Sequence, residues 1–450
     1  MKVEALQKSE QAQKAKDRES YEKFFAECME KKAKPAALEA LAVLEAMEPG
    51  NPEGKAKAEQ AGALGAPSPE AIGWGRTNGK KLAQQSAASW RDLVKEAQKQ
   101  GVPHAAARFA GILLLFDPAD VPARTLLGLV KGKDNKWLPK FDSEKAKLKV
   151  FFDPAWGYVS EEAKKNLEAG KRYRKGKWVP LEEEKRAPRS WEDRVLFNDP
   201  NVTVFSNLPY DEGLSYSMES RKFALALDDL FGDFFAPDPA RSPAMVFVCR
   251  TQADCDEAGS ARSGISIAGW ETVCRFDRFK HAVVANAAAD PKADGENFTL
   301  LDHVRAALVE WCLEETIGDR DLLDAPNFWI ELGLPELARG RALLDPGPKE
   351  PLGWSKEYRE ARKSLPAVSD LLSMSHKSKN GPNLFPQAAA LCHFLLHGEG
   401  GAWRLKFLGV VREYLLGRDP AAENLPKALG LTANEIETRL EAHMEGLFGK

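Results

Sequence analysis

With seven histidines and six cysteines in 450 residues, side chains able to hold a metal or attack a carbonyl are sparse. His303 is the most suggestive, because carboxylates follow it at Glu310, Glu314, Glu331 and Glu336. Glu310 lies two helical turns on, roughly 10 Å along a helix axis, so it and His303 cannot grip one ion directly. Glu331 would point off the helical face that its neighbour Leu332 occupies. His393 and His397 share metal-ligand spacing, with Glu399 just beyond. Phe394, Leu395 and Leu396 mark that stretch as a buried helix, however, and no third donor follows at a suitable distance. The cysteines at 28, 249, 255, 274, 312 and 392 form no C-x-x-C pair. Buried reduced thiols are expected, with one disulfide left open among Cys249, Cys255 and Cys274. Neither a Ser–His–Asp or Cys–His set nor a glycine-rich phosphate loop is evident.

His303 must be positioned by the stretch 299–341. Its first part carries Leu300, Leu301, Val304, Ala307, Leu308, Trp311 and Cys312 at helical spacing. A turn-rich segment, 319–326, follows, and then a second apolar cluster of Phe328, Trp329, Leu332 and Leu334. Two helices joined by a loop are expected. This layout resembles the active-site core of the gluzincin, or peptidase-MA-like, zinc metallopeptidases, in which an H-E-x-x-H helix precedes a W-L-x-E-G-L-A-E helix. The resemblance extends over about residues 200–450, including the helical runs 366–372, 387–396, 407–419 and 429–448.

In that family two histidines four residues apart share one helical face, and a glutamate on the second helix completes the zinc shell. The glutamate beside the first histidine deprotonates the zinc-bound water. Laid on this pattern, His303 takes the first ligand position, Val304 the base, Ala307 the second ligand and Leu332 the third. The frame is kept while three of its four chemical groups are hydrocarbon. One imidazole cannot hold zinc, and no carboxylate is placed to activate water. The resemblance therefore implies a pseudopeptidase with no catalytic residue and no cofactor, acting by binding a protein or peptide. Ordinary helical core is the plainer account of the same residues. An active hydrolase with rearranged ligands, which would need zinc, is the alternative function, and an adaptor acting through the N-terminal helices is a third.

A 43% hydrophobic and 29% charged composition with net charge −3 fits a globular chain of two or three domains. It gives no general attraction to nucleic acid or anionic membrane. The basic run 171–177 is answered at once by Glu182, Glu183 and Glu184, which reads as a solvated face. No apolar run is long enough to span a bilayer, and residues 1–19 are polar. The expected compartment is cytoplasmic, or exported if a leader has been removed. The oligomeric state is left open.

The expected fold is α+β and mostly α, with N-terminal helical hairpins followed by a zincin-like domain. Residues 20–58 recur as 89–127, an offset of about 69 residues, with Tyr21 matching Trp90 and Glu27 matching Glu96. Each copy reads as a helical hairpin resembling tetratricopeptide units, and two such copies should pack on each other. The Gly/Pro-rich stretch 50–88 reads as a linker inside a helical domain 1–130. A Trp-containing connector, 131–195, repeats Lys136-Trp137-Leu138-Pro139 as Lys177-Trp178-Val179-Pro180, with Trp156-Gly157-Tyr158-Val159-Ser160 between. In the zincin-like part, 196–450, strands are expected at 202–207, 244–249, 265–268 and 281–286, with an amphipathic helix at 212–235. The resemblance implies an edge strand lining a cleft, and 281–286 is the candidate for it.

Overall fold

A computed structural model describes residues 2–47, 52–132, 135–186, 188–232, 243–258, 273–277, 281–289, 298–317, 325–344, 353–377, 384–417 and 421–448. The chain is α+β and mostly α, and it divides into two compact units, Met1–Glu144 and Lys145–Lys450. The expected strand at 265–268 lies outside the described residues.

The first unit contains α1 (Lys2–Glu30), α2 (Lys34–Met47), α3 (Pro52–Gly62), α4 (Pro69–Lys99), α5 (Pro103–Phe116) and α6 (Val121–Leu126). A hairpin, β1 (Leu129–Lys131) and β2 (Trp137–Pro139), leads into α7 (Lys140–Lys147), within which the division falls. The internal repeat is visible as two helix pairs, α1–α2 and α4–α5, whose breaks match at the same offset. They pack on each other, with α4 lying against both α1 and α2. Asp17 fixes the crossing: it is buried and accepts from Ser86 Oγ at 2.7 Å and Trp90 Nε1 at 2.8 Å. Arg108 of α5 clasps Glu10 of α1 at 2.7 Å.

The stretch expected to be a linker is mostly helix. Ser68 caps α4 by accepting from the Ala71 amide, and Pro69 sits in the first turn, where its missing N–H is harmless. Gly75 is a packing notch, since a Cβ there would lie 2.7 Å from the Cβ of Ala36. Gly79 similarly faces the ring of Phe24. Residues that read as chain flexibility instead let helices approach closely.

The second unit opens with two further hairpin-plus-helix modules: β3 (Val150–Asp153), β4 (Gly157–Ser160) and α8 (Glu161–Glu168), then β5 (Lys171–Arg174), β6 (Lys177–Pro180) and α9 (Leu181–Arg186). With β1–β2–α7 this makes three such modules in series. Gly128, Lys149 and Gly170, 21 residues apart, precede them and all have positive φ. The first helical amide returns to that residue's carbonyl in two of them, Lys140 to Gly128 and Leu181 to Gly170. The Trp–hydrophobic–Pro repeat is thus the second strand of the first and third hairpins, ending just before the helix, and Tyr158-Val159-Ser160 takes its place in the middle one.

A five-stranded mixed sheet follows, built from β7 (Val195–Phe197), β8 (Val202–Ser206), β9 (Ala244–Cys249), β10 (Cys274–Asp277) and β11 (Ala282–Asn286) in the order β10-β11-β9-β8-β7. β8, β9 and β11 are parallel, and both edges are antiparallel. β8 connects to β9 through α10 (Tyr210–Phe231), and α11 (Gln252–Ala258) follows β9. The candidate edge, 281–286, is corrected: β11 is interior, all five of its residues are buried, and β10 is the edge beside it. An unbroken apolar run is what a strand covered on both faces requires.

The remainder is helical: α12 (Leu300–Ile317), α13 (Trp329–Arg339), α14 (Gly353–Ala361), α15 (Val368–Ser373), α16 (Leu384–His397), α17 (Arg404–Leu415), α18 (Asn424–Leu429) and α19 (Ala433–Phe448). α12 packs on β10, β11 and α13, and α13 packs on α16. Gly333 allows the last contact, because a Cβ there would lie 2.5 Å from the Ala388 carbonyl oxygen. All six cysteines are buried and none is in a disulfide, so the possible bridge among Cys249, Cys255 and Cys274 is not formed. Among the described residues no helix is long and apolar enough to cross a membrane.

Candidate functional site

The two helices expected around His303 are α12 and α13. α12 starts at a Thr299-x-x-Asp302 cap in which the Thr299 amide and hydroxyl donate to Asp302 Oδ2 at 2.9 and 2.8 Å. Asp302 is fully buried and also receives a two-pronged contact from Arg341 at 2.8 and 2.6 Å and a contact from a second cation, Arg305, at 3.0 Å. Burial pushes its carboxyl up, but the Arg341 and Thr299 hydrogen bonds outweigh that and hold it below its ordinary range. This network anchors the start of α12 to the residue just past the end of α13.

His303, the next residue, is 1% exposed, and its ring meets Phe298 edge-on with centroids 5.8 Å apart. The guanidinium of Arg339 lies 4.6 Å from the same Phe298 ring, and Arg339 pairs with buried Glu336 at 2.8 Å. The Glu336 charge is therefore answered by an arginine. Val304 and Ala307 are fully buried, and Leu332 is 4% exposed. All four positions lie on the packed α12–α13 pair, within apolar core.

Glu331 turns to other partners, as its place beside Leu332 predicts. Its Oε1 accepts from the Tyr414 hydroxyl at 2.5 Å and lies 3.1 Å from His376 Nε2. Burial, and then Glu331 itself, push the Tyr414 hydroxyl far above its ordinary value, so it stays a donor. Glu310 lies toward β10, where it adds to the effect of burial in raising the Cys274 thiol. His393 and His397 do share a face of α16, with ring centroids 4.9 Å apart. His393 Nδ1 contacts His443 Nε2 of α19 at 2.9 Å, and His397 Nε2 donates to the Ala342 carbonyl at 3.0 Å. Among the described residues no three His, Cys, Asp or Glu side chains are grouped so as to hold a metal.

Sequence reasoning missed Tyr414, His376 and His443, whose partners lie 83, 45 and 50 residues away along the chain. Asp302 carried a local signal, the T-x-x-D cap, that went unused.

Concave surfaces among the described residues include three. One, of about 1010 Å3, is an apolar groove of the first unit, lined by Leu41, Leu44 and Met47 together with Lys14, Arg18 and Lys55. A second, of about 360 Å3, lies where α10, α12 and the end of α13 meet, beside Arg305 and Arg341. The third, also about 360 Å3, is lined by aromatic rings of the β3–β4 and β5–β6 hairpins. Compared with protein-family models, curated proteins and solved structures, the chain matches none.

Proposed function

We propose that this chain is a catalytically inactive, gluzincin-like scaffold that works by binding a protein or peptide. One observation carries the reading: Val304, Ala307 and Leu332 are hydrocarbon, deeply buried, and lie on the same helix pair as His303. A cation there would lose its hydration shell and gain a single imidazole, which leaves most of its desolvation cost unanswered. The nearby carboxylates offer little relief. Glu336 is engaged by Arg339, Glu331 by Tyr414, and Asp302 by Arg341 and Arg305. The helix pairs of the first unit and their concave groove support a role in recognition rather than turnover. Six buried cysteines, none in a disulfide, fit a reducing, cytoplasmic setting.

The test is hydrolysis of a fluorogenic peptide library by the full chain, with and without a chelator. Background-level cleavage, unmoved by chelator, is expected. Chelator-sensitive turnover that disappears in His303→Ala would defeat the reading in favour of a metal-dependent hydrolase.

A further inference from the structure

The aromatic cavity of the second unit is built by the hairpin modules. Each turns a cross-strand ring pair toward it: Phe152 opposite Tyr158, centroids 5.3 Å apart, and Tyr173 opposite Trp178, 5.2 Å apart. Strand alternation explains the arrangement, because the two rings of each pair stand opposite each other on one face of their hairpin, and Val179, one step from Trp178, is buried on the other. The four rings are only partly covered, and Tyr173 is 48% exposed. Large rings clustered at a concave surface are the mark of a contact site rather than of core.

Beside the rings runs β7, whose residues also line the cavity. It pairs with β8 on one side only, and its residues make no further backbone hydrogen bond among the described residues. Alternate residues of an antiparallel strand turn both their N–H and C=O to the outer edge. β7 therefore offers main-chain donors and acceptors next to an aromatic cavity, with Leu196 at its centre 51% exposed. Within the cavity Arg221 and Asp199 cancel each other at 2.8 Å. On the β5–β6 hairpin, Lys171 and Lys175 are exposed and enter no ion pair among the described residues, and Lys171 shares the ring-bearing face of β5 with Tyr173.

We propose that this surface binds an extended, acidic peptide. Its backbone adds as a strand to the free edge of β7, one aromatic or branched side chain enters the ring-lined cavity, and its carboxylates meet Lys171 and Lys175. The inference rests on the binding reading for its ligand class, but not on the loss of the metal site.

The probe is a fluorescein-labelled, end-capped octapeptide alternating valine and tyrosine between paired glutamates, titrated into the full chain by fluorescence anisotropy at low salt. Two companions carry lysines in place of the glutamates, or N-methyl groups on alternate amides. The acidic peptide should bind saturably. Trp178→Ser and Tyr158→Ser should each weaken it by about tenfold or more. N-methylation should abolish binding, and exposed Lys171→Glu should reverse the preference between acidic and lysine-flanked peptides. Equal affinity for the two peptides would overturn the proposal. So would no binding, or indifference to Trp178→Ser in a variant whose circular dichroism is native. Self-association that depends on Trp178, without peptide binding, would assign the β7 edge to a second copy instead. Cleavage of the probe would defeat the inactive-scaffold reading while leaving this site standing. Absence of binding without cleavage would defeat this site alone.

Discussion

Replacing Leu332 by glutamate restores the carboxylate that a zinc site would need, and so separates core from degenerate centre. Leu332, on α13, is 4% exposed, and α13 packs on both α12 and α16. Losing its buried hydrocarbon costs about 2 kcal/mol. Among the described residues the arginines at the end of α13 are already engaged, Arg339 by Glu336 and Arg341 by Asp302. The carboxyl will therefore stay protonated well above the ordinary glutamate value of about 4.3. A folded-state pKa raised in this way makes stability fall as pH rises from the unfolded value toward the folded one. If the folded value exceeds 7, the variant should lose about 2.7 kcal/mol more at pH 7 than at pH 5. Urea denaturation of wild type and Leu332→Glu at both pH values, with and without equimolar zinc, reads this directly. The reasoning predicts a penalty of about 4 kcal/mol or more at pH 7 that zinc does not relieve. A penalty under about 1 kcal/mol, or a zinc-dependent recovery of the midpoint, would refute it.

Gly333→Ala should destabilise by about 1–3 kcal/mol or more, because the new methyl meets the Ala388 carbonyl carbon at 2.7 Å and the Cys392 sulfur at 2.7 Å; a denaturation midpoint equal to wild type would show that α13 and α16 yield easily. Asp17→Ala should cost about 2 kcal/mol by leaving the Ser86 hydroxyl and Trp90 indole without their shared acceptor. Trp90 fluorescence would follow that unfolding, and no loss of stability would mean the contact is incidental. Burial first, and then His397, lower the His443 pKa below its ordinary value of 6.5. The contribution of this group is thus fully present above pH 6.5 and is lost as the pH falls below it, since the unfolded chain takes up the proton first. His443→Gln should flatten the melting-temperature profile between pH 6.5 and 5, and an unchanged slope would place the titrating group elsewhere.

Much of the architecture was legible because it is local. The helices of the C-terminal part follow from apolar spacing, and the N-terminal repeat foretold two matching helix pairs. Thr299-x-x-Asp302, Thr251-x-x-Asp254 and Thr432-x-x-Glu435 are caps written in the sequence, and each forms. The errors share a cause, in that a residue type has two physical uses and only packing decides between them. Gly75 and Gly79 signalled a loose chain, whereas α2 and α1 press into the space they leave. β11 read as an edge although its unbroken apolar run is the pattern of a covered strand, while β10, with Arg275 and Asp277, is the edge. The partners of Glu331 and His393 were invisible because nothing short-range announces a contact made across many tens of residues.

Zinc content tests the central claim most directly. After equilibration with a slight excess of zinc and gel filtration, metal analysis of the full chain should find well under one ion per molecule, with the same value for His303→Ala. One tightly held zinc per chain, lost in His303→Ala, would contradict the account.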